Sequence, residues 1–581
     1  MDIGASAFNL CNVDSAHAIA KEKQQDAEFK QLITSCTSLS HYESKRFITL
    51  LPQIIATLIA GSFHIVVGIT LAYSAVLIPQ LRNTTILGSA TSTDSSTSNV
   101  AINATNTNQS LYGQREAWVA STTIVVVPVA SLICGVVMDS IGRLNTLKIT
   151  AIPVTIGWIL IATATNYPMI LLGRILTGVA GAFGTSPAMV YLTEIARADM
   201  RGSLTSSGPA YASLGMVLAY LKGWFMDWRT IAWVCNIYAI IPCILMFFIP
   251  ESPAWYISKG KIDQARNSLE WIHKYQPHPP NKTQSMAELH LAVLIRDHEK
   301  KQEELRNSKY TGLAMKLKEF TKPTAVKPLT ILFFLFFIQQ FSGIYITLFY
   351  AIDLLKQMGI DMNPYLVSIF MGIVRFCMSM VNTYMMKRFK RRPLVMCSCI
   401  GMAICMLVSG LFTKWTIEGT TSFTWIPVLC LILYVTTSMI GLLPLPWTMT
   451  AELFPLEIRG VAQSISYSIA NTIMFLAVQS YPSLANLLGG VVHAQWFFAV
   501  ICLIGVIYVF VLMPETHGKK LNDIVEYFVH NTFYVTARKA YKSKGARKSS
   551  DRKPIIKNTR VTKNDMEESA DGQNNNLIEN V

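Results

Sequence analysis

The sequence predicts an all-α membrane protein with twelve transmembrane helices arranged as two six-helix repeats. Of its 581 residues, 51% are hydrophobic and only 15% are charged, whereas a soluble domain carries about 25% charged residues. Apolar runs of about 20 residues, which cross roughly 30 Å of hydrocarbon as helices, recur along the chain. Much of the protein is therefore expected to be surrounded by lipid.

Twelve such runs are present, six on each side of a polar segment. In the first half they are approximately Leu58–Leu77, Val119–Met138, Ile149–Asn166, Met169–Leu192, Pro209–Phe225 and Ile231–Ile249. In the second half they are approximately Leu329–Leu354, Tyr365–Met386, Leu394–Phe412, Trp425–Met449, Val461–Tyr481 and Trp496–Met513. We expect an N-terminal tail (1–49), a first half (50–250), a linker loop (251–327), a second half (328–516) and a C-terminal tail (517–581).

The net charge of +15 reflects membrane topology rather than nucleic-acid binding, because the basic residues lie in alternate loops and not on one helix face. Lys and Arg crowd the loops after the second, sixth and eighth runs, as in Lys387–Arg392, and both tails. The positive-inside rule makes these segments cytoplasmic. A multi-pass plasma-membrane protein with both termini in the cytoplasm is expected.

The loop at 82–117 falls on the predicted extracellular side. It is rich in Ser, Thr and Asn and carries three glycosylation sequons, at Asn83, Asn103 and Asn108. Three sequons on one predicted extracellular loop support each other. We expect all three to be glycosylated.

The two halves share sequence. "EIARADMRG" follows the fourth run and "ELFPLEIRG" follows the tenth, which pairs Glu194 and Arg201 with Glu452 and Arg459. "PESP" after the sixth run pairs with "PET" after the twelfth, and "MDSIGR" pairs more weakly with "MKRFKR". Three echoes in the same order indicate a duplication.

Two six-helix halves related by a parallel repeat are typical of the major facilitator architecture. The motifs "GxxxDxxGR", "YxxE", "PESP", "QQFSG", "PxPW" and "PETHGKKL" occur in order over about residues 50–528. Together they make the chain resemble the sugar porters of that superfamily, and most closely the insect facilitated trehalose transporter-like proteins. The resemblance implies a substrate site between the halves and alternating access.

The resemblance also implies a cytoplasmic gate of ion pairs. Its residues here are Asp139, Arg143, Glu194, Arg201, Glu251, Glu452 and Arg459. Desolvation nearly cancels the attraction within a partly buried ion pair, so such a network can close a gate and still reopen. The alternative is that these charges only mark solvated loops.

A neutral sugar requires amides that both donate and accept hydrogen bonds, and an aromatic face for its C–H surface. Gln340 and Tyr350 fall on one helical face of the seventh run, next to Gln339, and the resemblance assigns these glutamines to sugar hydroxyls and Tyr350 to outer closure. Trp447, which follows the helix-breaking Pro444 and Pro446, matches the family's tryptophan beneath the sugar. A Trp near a membrane interface can also be a lipid anchor.

This sequence departs from the family within the site. Tyr345 and Arg375 stand where the family usually has Asn and Asn or Gln, respectively. Arg375 shares a small and polar stripe with Ser368, Gly372 and Ser379, so it is expected to face a polar cleft rather than lipid. Arg375 either packs against backbone carbonyls or snorkels, or it reaches the substrate through sugar oxygens, a carboxylate or a phosphate. We favour direct contact.

The absence of an acidic residue beside Tyr73 bears on energy coupling. Proton-coupled sugar porters typically carry an acid beside a Tyr in the first run, but Ser74 follows Tyr73 here. An uncoupled carrier is therefore expected, with His64 as a less favoured coupling group.

Three functions remain open from sequence. The first is a facilitative carrier of glucose, trehalose or a related sugar, the second a carrier of an anionic or other polar solute, and the third a nontransporting sugar sensor. No catalytic residues, cofactor or metal site are expected, since no nucleophile, base and orienting group converge in any motif. The expected partners are a small-molecule sugar and membrane lipid, with no nucleic acid, and the carrier is expected to act as a monomer.

Overall fold

The computed structural model describes residues 47–82, 100–197, 207–277, 285–307, 322–454 and 458–517, with isolated positions at 200, 204, 320, 519, 524, 527 and 528. These residues form helices and connecting turns, with no β-strand among them. The all-α membrane fold with two six-helix halves is confirmed. We number its membrane-crossing segments span 1 to span 12 in chain order.

The first half begins with a 3-10 turn at Phe47–Leu50. Its helices are Leu51–Gly61 and Phe63–Leu81 (span 1), Val100–Val125 and Val127–Ile141 (span 2), Arg143–Ala162 (span 3), Tyr167–Phe183 and Ser186–Ile195 (span 4), Ser207–Phe225 (span 5) and Trp228–Leu245 (span 6). Helix begins at Val100, so the expected loop at 82–117 is helical over its last part. Asn103 and Asn108 lie on that helix, whereas Asn83 is outside the described residues.

The linker and the second half continue the helical pattern. The linker helices are Pro253–Ser258, Ile262–Ile272 and Met286–Asn307. The second half contains Pro323–Phe341, Ile344–Phe349 and Ala351–Gln357 (span 7), Pro364–Arg388 (span 8), Arg391–Ile417 (span 9), Ile426–Ile440 and Leu445–Glu452 (span 10), Arg459–Leu488 (span 11) and Val491–Val511 (span 12). We call the end of the bundle that carries Leu81 and Gln357 the outer end, and the opposite end the inner end.

Eleven of these segments are long and apolar enough to cross a membrane by length and composition. Span 5 is the exception because Gly, Ser, Tyr and Lys residues lower its hydropathy. It packs tightly against span 1 and span 8, where protein replaces lipid as its surroundings. A Cβ atom added at Gly68 of span 1 would lie 1.9 Å from the carbonyl oxygen of Ala212 in span 5. Small residues therefore bring these two helices together.

Spans 7 and 10 are broken rather than continuous. Span 7 breaks at Gly343, whose φ of 91° lies in the left-handed region that a side chain disfavours. Span 10 breaks at residues 441–444, ahead of Pro446. Pro444 and Pro446 predict the break in span 10 from sequence, whereas the continuous run predicted for span 7 is wrong at this glycine. Broken helices expose backbone groups, which membrane proteins tolerate only inside the protein or along a cavity.

The halves meet through two equivalent helix pairs. Span 5 of the first half packs along span 8 of the second, and span 2 packs along span 11. Spans 5 and 11 are counterparts in the repeat, as are spans 2 and 8, so the two contacts are related by the duplication. A space remains between these walls, and the site lies there.

The segment expected to be a plain linker loop contains a small helical layer. The three linker helices share a cluster formed by Ile257, Ala265, Leu269, Ala287 and Leu291. Pro253–Ser258 and Ile262–Ile272 also pack against the inner ends of spans 4 and 1. The linker is thus attached to the first half.

Candidate functional site

A cavity of 180 Å³ lies between the two halves. Its walls are largely apolar, with a few hydroxyl and amide groups. The first half contributes Val67, Thr70, Leu71, Thr123, Ile124, Val127, Gly178, Gly181 and Thr185, and the second contributes Tyr345, Trp447, Tyr467, Asn471 and Met474. Predominantly apolar walls with sparse polar groups are typical of small-molecule sites.

Trp447 and Tyr345 form the aromatic wall of the cavity. The Trp447 ring lies 4.9 Å from the Phe336 ring and 5.3 Å from the Tyr467 ring, measured between centroids. Trp447 follows the break in span 10, and Tyr345 follows the break in span 7. Since Trp447 lines the cavity, its indole is not a lipid anchor.

Gln339 and Gln340 lie behind this wall. Gln339 Nε2 donates to the carbonyl oxygens of Leu442 (2.9 Å) and Leu443 (2.7 Å), which the break in span 10 leaves without helical donors. Gln340 Nε2 donates to Gln339 Oε1 at 3.2 Å. Gln340 Oε1 is buried with no partner among the described residues. Gln339 therefore stabilises the broken helix, and Gln340 keeps a free acceptor.

Tyr350 lies toward the outer end and is buried. Its hydroxyl donates to the carbonyl oxygen of Val478 at 3.3 Å, and its ring lies 5.2 Å from that of Tyr481. These contacts join spans 7 and 11 within the second half. The arrangement is compatible with a role in outer closure.

Arg375 lies on span 8 and is 9% exposed, so its guanidinium does not face lipid. Its Nε and Nη1 atoms are buried and have no hydrogen-bond partner among the described residues. Tyr345 and Tyr220 interact with it electrostatically. Arg375 is absent from the cavity lining itself, and Tyr345 connects it to the cavity.

Another buried arginine, Arg174 of span 4, has by contrast an acceptor at each of its three guanidinium nitrogens. Its Nε donates to the carbonyl oxygen of Val119 (3.2 Å) and its Nη1 to that of Thr70 (3.0 Å). Its Nη2 donates to the hydroxyl of Ser74 and, at 3.4 Å, to that of Thr123. All four acceptors are uncharged. His64 is likewise paired, through Nδ1 to the carbonyl oxygen of Gly61 at 3.2 Å.

At the inner end, each half holds the same arrangement of charges. In the first half, Arg143 binds both carboxylate oxygens of Glu194, at 3.1 and 3.0 Å. Glu251 accepts the backbone N–H groups of Leu144 (2.9 Å) and Asn145 (3.2 Å) at the N-terminus of span 3. Asp139 contacts Arg143 more loosely, at 3.5 Å. A carboxylate is favourable at a helix N-terminus.

In the second half, Arg391 pairs with Glu452 at 3.0 Å. Glu515 accepts the backbone N–H groups of Arg391 (3.0 Å) and Arg392 (3.3 Å) at the N-terminus of span 9. Arg391 is absent from the gate predicted from sequence, although the echo between "MDSIGR" and "MKRFKR" pairs it with Arg143 and could have identified it. Of the other predicted gate residues, Arg201 lies outside the described residues and Arg459 begins span 11.

An ion-pair group at the outer end was missed by sequence reasoning. Arg82, which follows span 1, donates to both oxygens of Glu116 at 2.5 and 2.7 Å. It also donates to Asp353 of span 7 at 3.1 Å, and thereby joins the two halves. The hydrogen bond that Arg82 donates to the Glu116 carboxylate raises the pKa of Arg82 above its ordinary value. Asp353, a carboxylate near the end of the seventh apolar run, is the sequence feature that could have indicated this ion pair.

Comparison with known proteins identifies the family. The model of the family described as "Sugar (and other) transporter" matches residues 69–528. The chain belongs to the sugar transporter family. It is 30% identical over 481 residues to the facilitated trehalose transporter Tret1 of Apis mellifera ligustica, covering 82% of this chain and 88% of that protein.

Other members of the sugar transporter family differ in length. The chain is 31% identical over 438 residues to Tret1 of Drosophila mojavensis, covering 74% of this chain and 48% of that protein. It thus spans about half the length of that relative. Among solved structures, the inward-open xylose transporter XylE from E. coli is similar, with a TM-score of 0.63 and 20% identity over 81% of this chain and 98% of that one. This likeness supports the major facilitator fold.

Proposed function

We propose that this protein is a facilitative carrier that moves glucose, trehalose or a related sugar by alternating access. The observation that carries the proposal is the cavity lined by both halves, with Trp447 and Tyr345 on one wall. An aromatic face suits the C–H surface of a sugar ring, and sparse hydroxyl and amide groups suit its oxygens. Rocking of the halves about this space exposes it to each side in turn.

The geometry around Arg174 supports the absence of proton coupling. A coupled carrier needs a group that gains and loses a proton during the cycle. The acceptors of the Arg174 guanidinium are two backbone carbonyls and two hydroxyls, none of which titrates near neutral pH. The proton:xylose symporter XylE shares the fold at about 20% identity, so its coupling does not transfer to this chain by likeness alone.

The proposed substrate-binding residues have different tasks. Trp447 and Tyr345 contact the sugar directly. The free Oε1 of Gln340 accepts a hydrogen bond from a sugar hydroxyl when span 7 moves. Gln339 holds the break of span 10 in shape. Tyr350 closes the outer side, and Arg375, which lies behind Tyr345 and outside the cavity lining, contacts the substrate when Tyr345 moves aside.

Alternating access also requires contacts that break and form between the halves. We assign the outer contact to Arg82 and Asp353, which must separate when the cavity opens outward. At the inner end, the pairs Arg143–Glu194 and Arg391–Glu452 stay within their own halves. We propose that Asp139, Glu251, Arg201 and Arg459 complete an inner gate around these rigid ends.

The proposal includes the expected topology. The carrier works as a monomer in the plasma membrane, with both termini in the cytoplasm and glycans on Asn83, Asn103 and Asn108. Treatment with an amidase that removes N-glycans, with comparison of the gel mobilities of the wild type and the three Asn→Gln variants, tests directly whether these asparagines lie on the outer side.

Uptake into proteoliposomes tests the function. The purified full-length protein is reconstituted, and uptake of labelled glucose and trehalose is measured at pH 6.0 and 7.5, with a pH-sensitive dye inside the vesicles. We expect saturable uptake that accelerates under counterflow and no sugar-induced acidification. Acidification would contradict the uncoupled mechanism. Sugar binding without uptake would favour a sensor instead.

A further inference from the structure

Arg174 of span 4 and Arg375 of span 8 are both buried within membrane spans, but the hydrogen bonding of their guanidinium groups differs strongly. Arg174, with no measurable exposure, has acceptors on three of its nitrogens. Arg375 is almost as buried, yet its Nε and Nη1 atoms have no acceptor among the described residues. The fold can therefore surround a guanidinium with oxygens and does so in span 4. It does not do so in span 8.

The surroundings of Arg375 supply no compensating charge. Tyr220 and Tyr345 are the titratable groups of the described chain that interact with it electrostatically, and both are neutral phenols. The Tyr220 hydroxyl is already committed, because it donates to the carbonyl oxygen of Leu348 at 2.9 Å. A buried cation without a counter-charge is costly, so the site is complementary to an anion.

The location allows a transported solute to supply that anion. Gly372, one turn before Arg375, lies against Val217 of span 5, so this face of span 8 lies along the contact between the halves. Tyr345 interacts with Arg375 on one side and lines the cavity on the other. A solute in the cavity is thus separated from the guanidinium by one aromatic side chain.

We propose that Arg375 is a recognition group for a carboxylate, and that the cavity binds sugar acids such as hexuronates more tightly than the corresponding neutral sugars. A planar guanidinium matches the two oxygens of a carboxylate, and a charge-assisted pair is stronger than a bond to a neutral hydroxyl. The inference rests on the proposed function, because it deepens the substrate class of the same cavity.

Competition in proteoliposomes tests this preference. Uptake of labelled glucose by the wild-type protein is measured against unlabelled glucose and unlabelled D-glucuronate at pH 7.5. We expect glucuronate to compete roughly tenfold or more better than glucose, and labelled glucuronate to be taken up. If glucuronate neither competes nor enters while glucose uptake proceeds, the inference is overturned and the sugar carrier stands. If no sugar binds or enters, the proposed function itself fails.

Two variants connect the preference to Arg375. In Arg375→Gln the preference is expected to disappear, measured as the ratio of glucuronate to glucose uptake in the same vesicles, so that a change in overall uptake does not affect the result. Arg388→Gln removes the same charge from an exposed position on the same helix and is expected to keep the preference. An unchanged preference in Arg375→Gln overturns the assignment.

A third variant covers the case in which Arg375→Gln does not fold. Arg375→Lys keeps the charge and loses the planar fork, so it is expected to weaken the preference without abolishing it. Monodisperse elution in detergent checks the folding of each variant. A preference that is identical to wild type in Arg375→Lys would contradict carboxylate recognition by the fork.

Discussion

Arg82 and Asp353 form an ion pair of 3.1 Å that joins the two halves at the outer end of the bundle. The Asp353 side chain is 4% exposed and that of Arg82 is 44% exposed, so the pair lies between the buried and surface cases. Glu116 holds the same guanidinium from the first half. In the proposed alternating-access cycle, outward opening separates Arg82 from Asp353, and the pair then contributes to the energy difference between the two access states.

Asp353→Asn is expected to favour the outward-open state. The lost attraction is about 1–2 kcal/mol, between the values for exposed and buried pairs, which corresponds to about a five- to thirtyfold shift in population. Labelling of a cysteine introduced at the cavity residue Leu71 by an impermeant maleimide, added from outside, measures the shift. Lys414→Gln, which breaks the exposed pair Lys414–Glu418 within one half, is the control and leaves labelling unchanged.

Glu251→Gln and Glu515→Gln are expected to destabilise the protein to a similar extent. Each carboxylate accepts two successive backbone N–H groups at the start of a helix, span 3 or span 9. An amide at either position places one NH2 group against those donors, at a cost of about 1–3 kcal/mol. Thermal unfolding in detergent measures the loss. Glu418→Gln, at the outer surface, should keep the wild-type Tm, and a large difference between the two main variants would contradict their equivalence.

The repeat explains why much of the fold was predictable from sequence. The number of spans and the division into two halves follow from hydropathy. The equivalence of Glu194 and Glu452 follows from the similar short motifs that contain them. The break at Gly343 was not predicted, because a run of apolar residues has the same hydropathy whether or not one glycine adopts a positive φ. The helical layer of the linker was missed because its apolar residues, such as Leu269 and Leu291, are too sparse to stand out beside polar ones.

The site was predictable in part. Trp447 and Tyr345 line the cavity, as the motif positions indicate, whereas Gln339 is turned toward the carbonyls of Leu442 and Leu443. Which side of a helix faces a cleft follows from periodicity, but which of two adjacent amides is consumed by a helix break depends on tertiary contacts. The Arg82–Asp353 pair joins residues 271 apart in sequence, and no local pattern connects them.

Trp447→Ala is expected to weaken sugar binding strongly and to leave the fold in place. The indole lies between Phe336 and Tyr467 and forms part of the cavity wall, so its removal takes away the aromatic face. Loss of such a stacking surface raises the half-saturating sugar concentration by roughly tenfold or more. Trp447→Phe should retain much of the affinity. Trp415→Ala, on the outer part of span 9, controls for the removal of an indole.

His273 predicts a pH dependence of the linker layer. Burial, with a smaller contribution from His290, lowers the pKa of His273 to about 3, whereas an exposed His has a pKa of about 6.5. The folded layer therefore holds His273 neutral, and its stability is complete above about pH 6.5 and falls as the pH drops toward 3. Amide exchange over Ile262–Ile272, corrected for intrinsic rate, should show about fivefold less protection at pH 5.5 than at 6.5.

His273→Gln should remove most of this pH dependence, because the position no longer gains a proton on exposure. His298→Gln, on Met286–Asn307, changes a histidine whose side chain contacts Gln302 near the surface and should leave the dependence in place. Equal protection at both pH values in the wild type would contradict the burial of a neutral imidazole.

Ser74→Asp is expected to make uptake depend on protons. In the wild type the Ser74 hydroxyl accepts a hydrogen bond from Arg174, and an aspartate there would form a buried ion pair with the same guanidinium. Coupling requires that the carboxylate be ionised in one access state and protonated in the other. Arg174 would favour the ionised form in the access state in which the two groups are in contact. Sugar-induced acidification inside proteoliposomes measures the coupling, with Ser74→Asn as the uncharged control. If Ser74→Asp takes up sugar normally without moving protons, the hydroxyl at this position is not the cause of the proposed uncoupled mechanism.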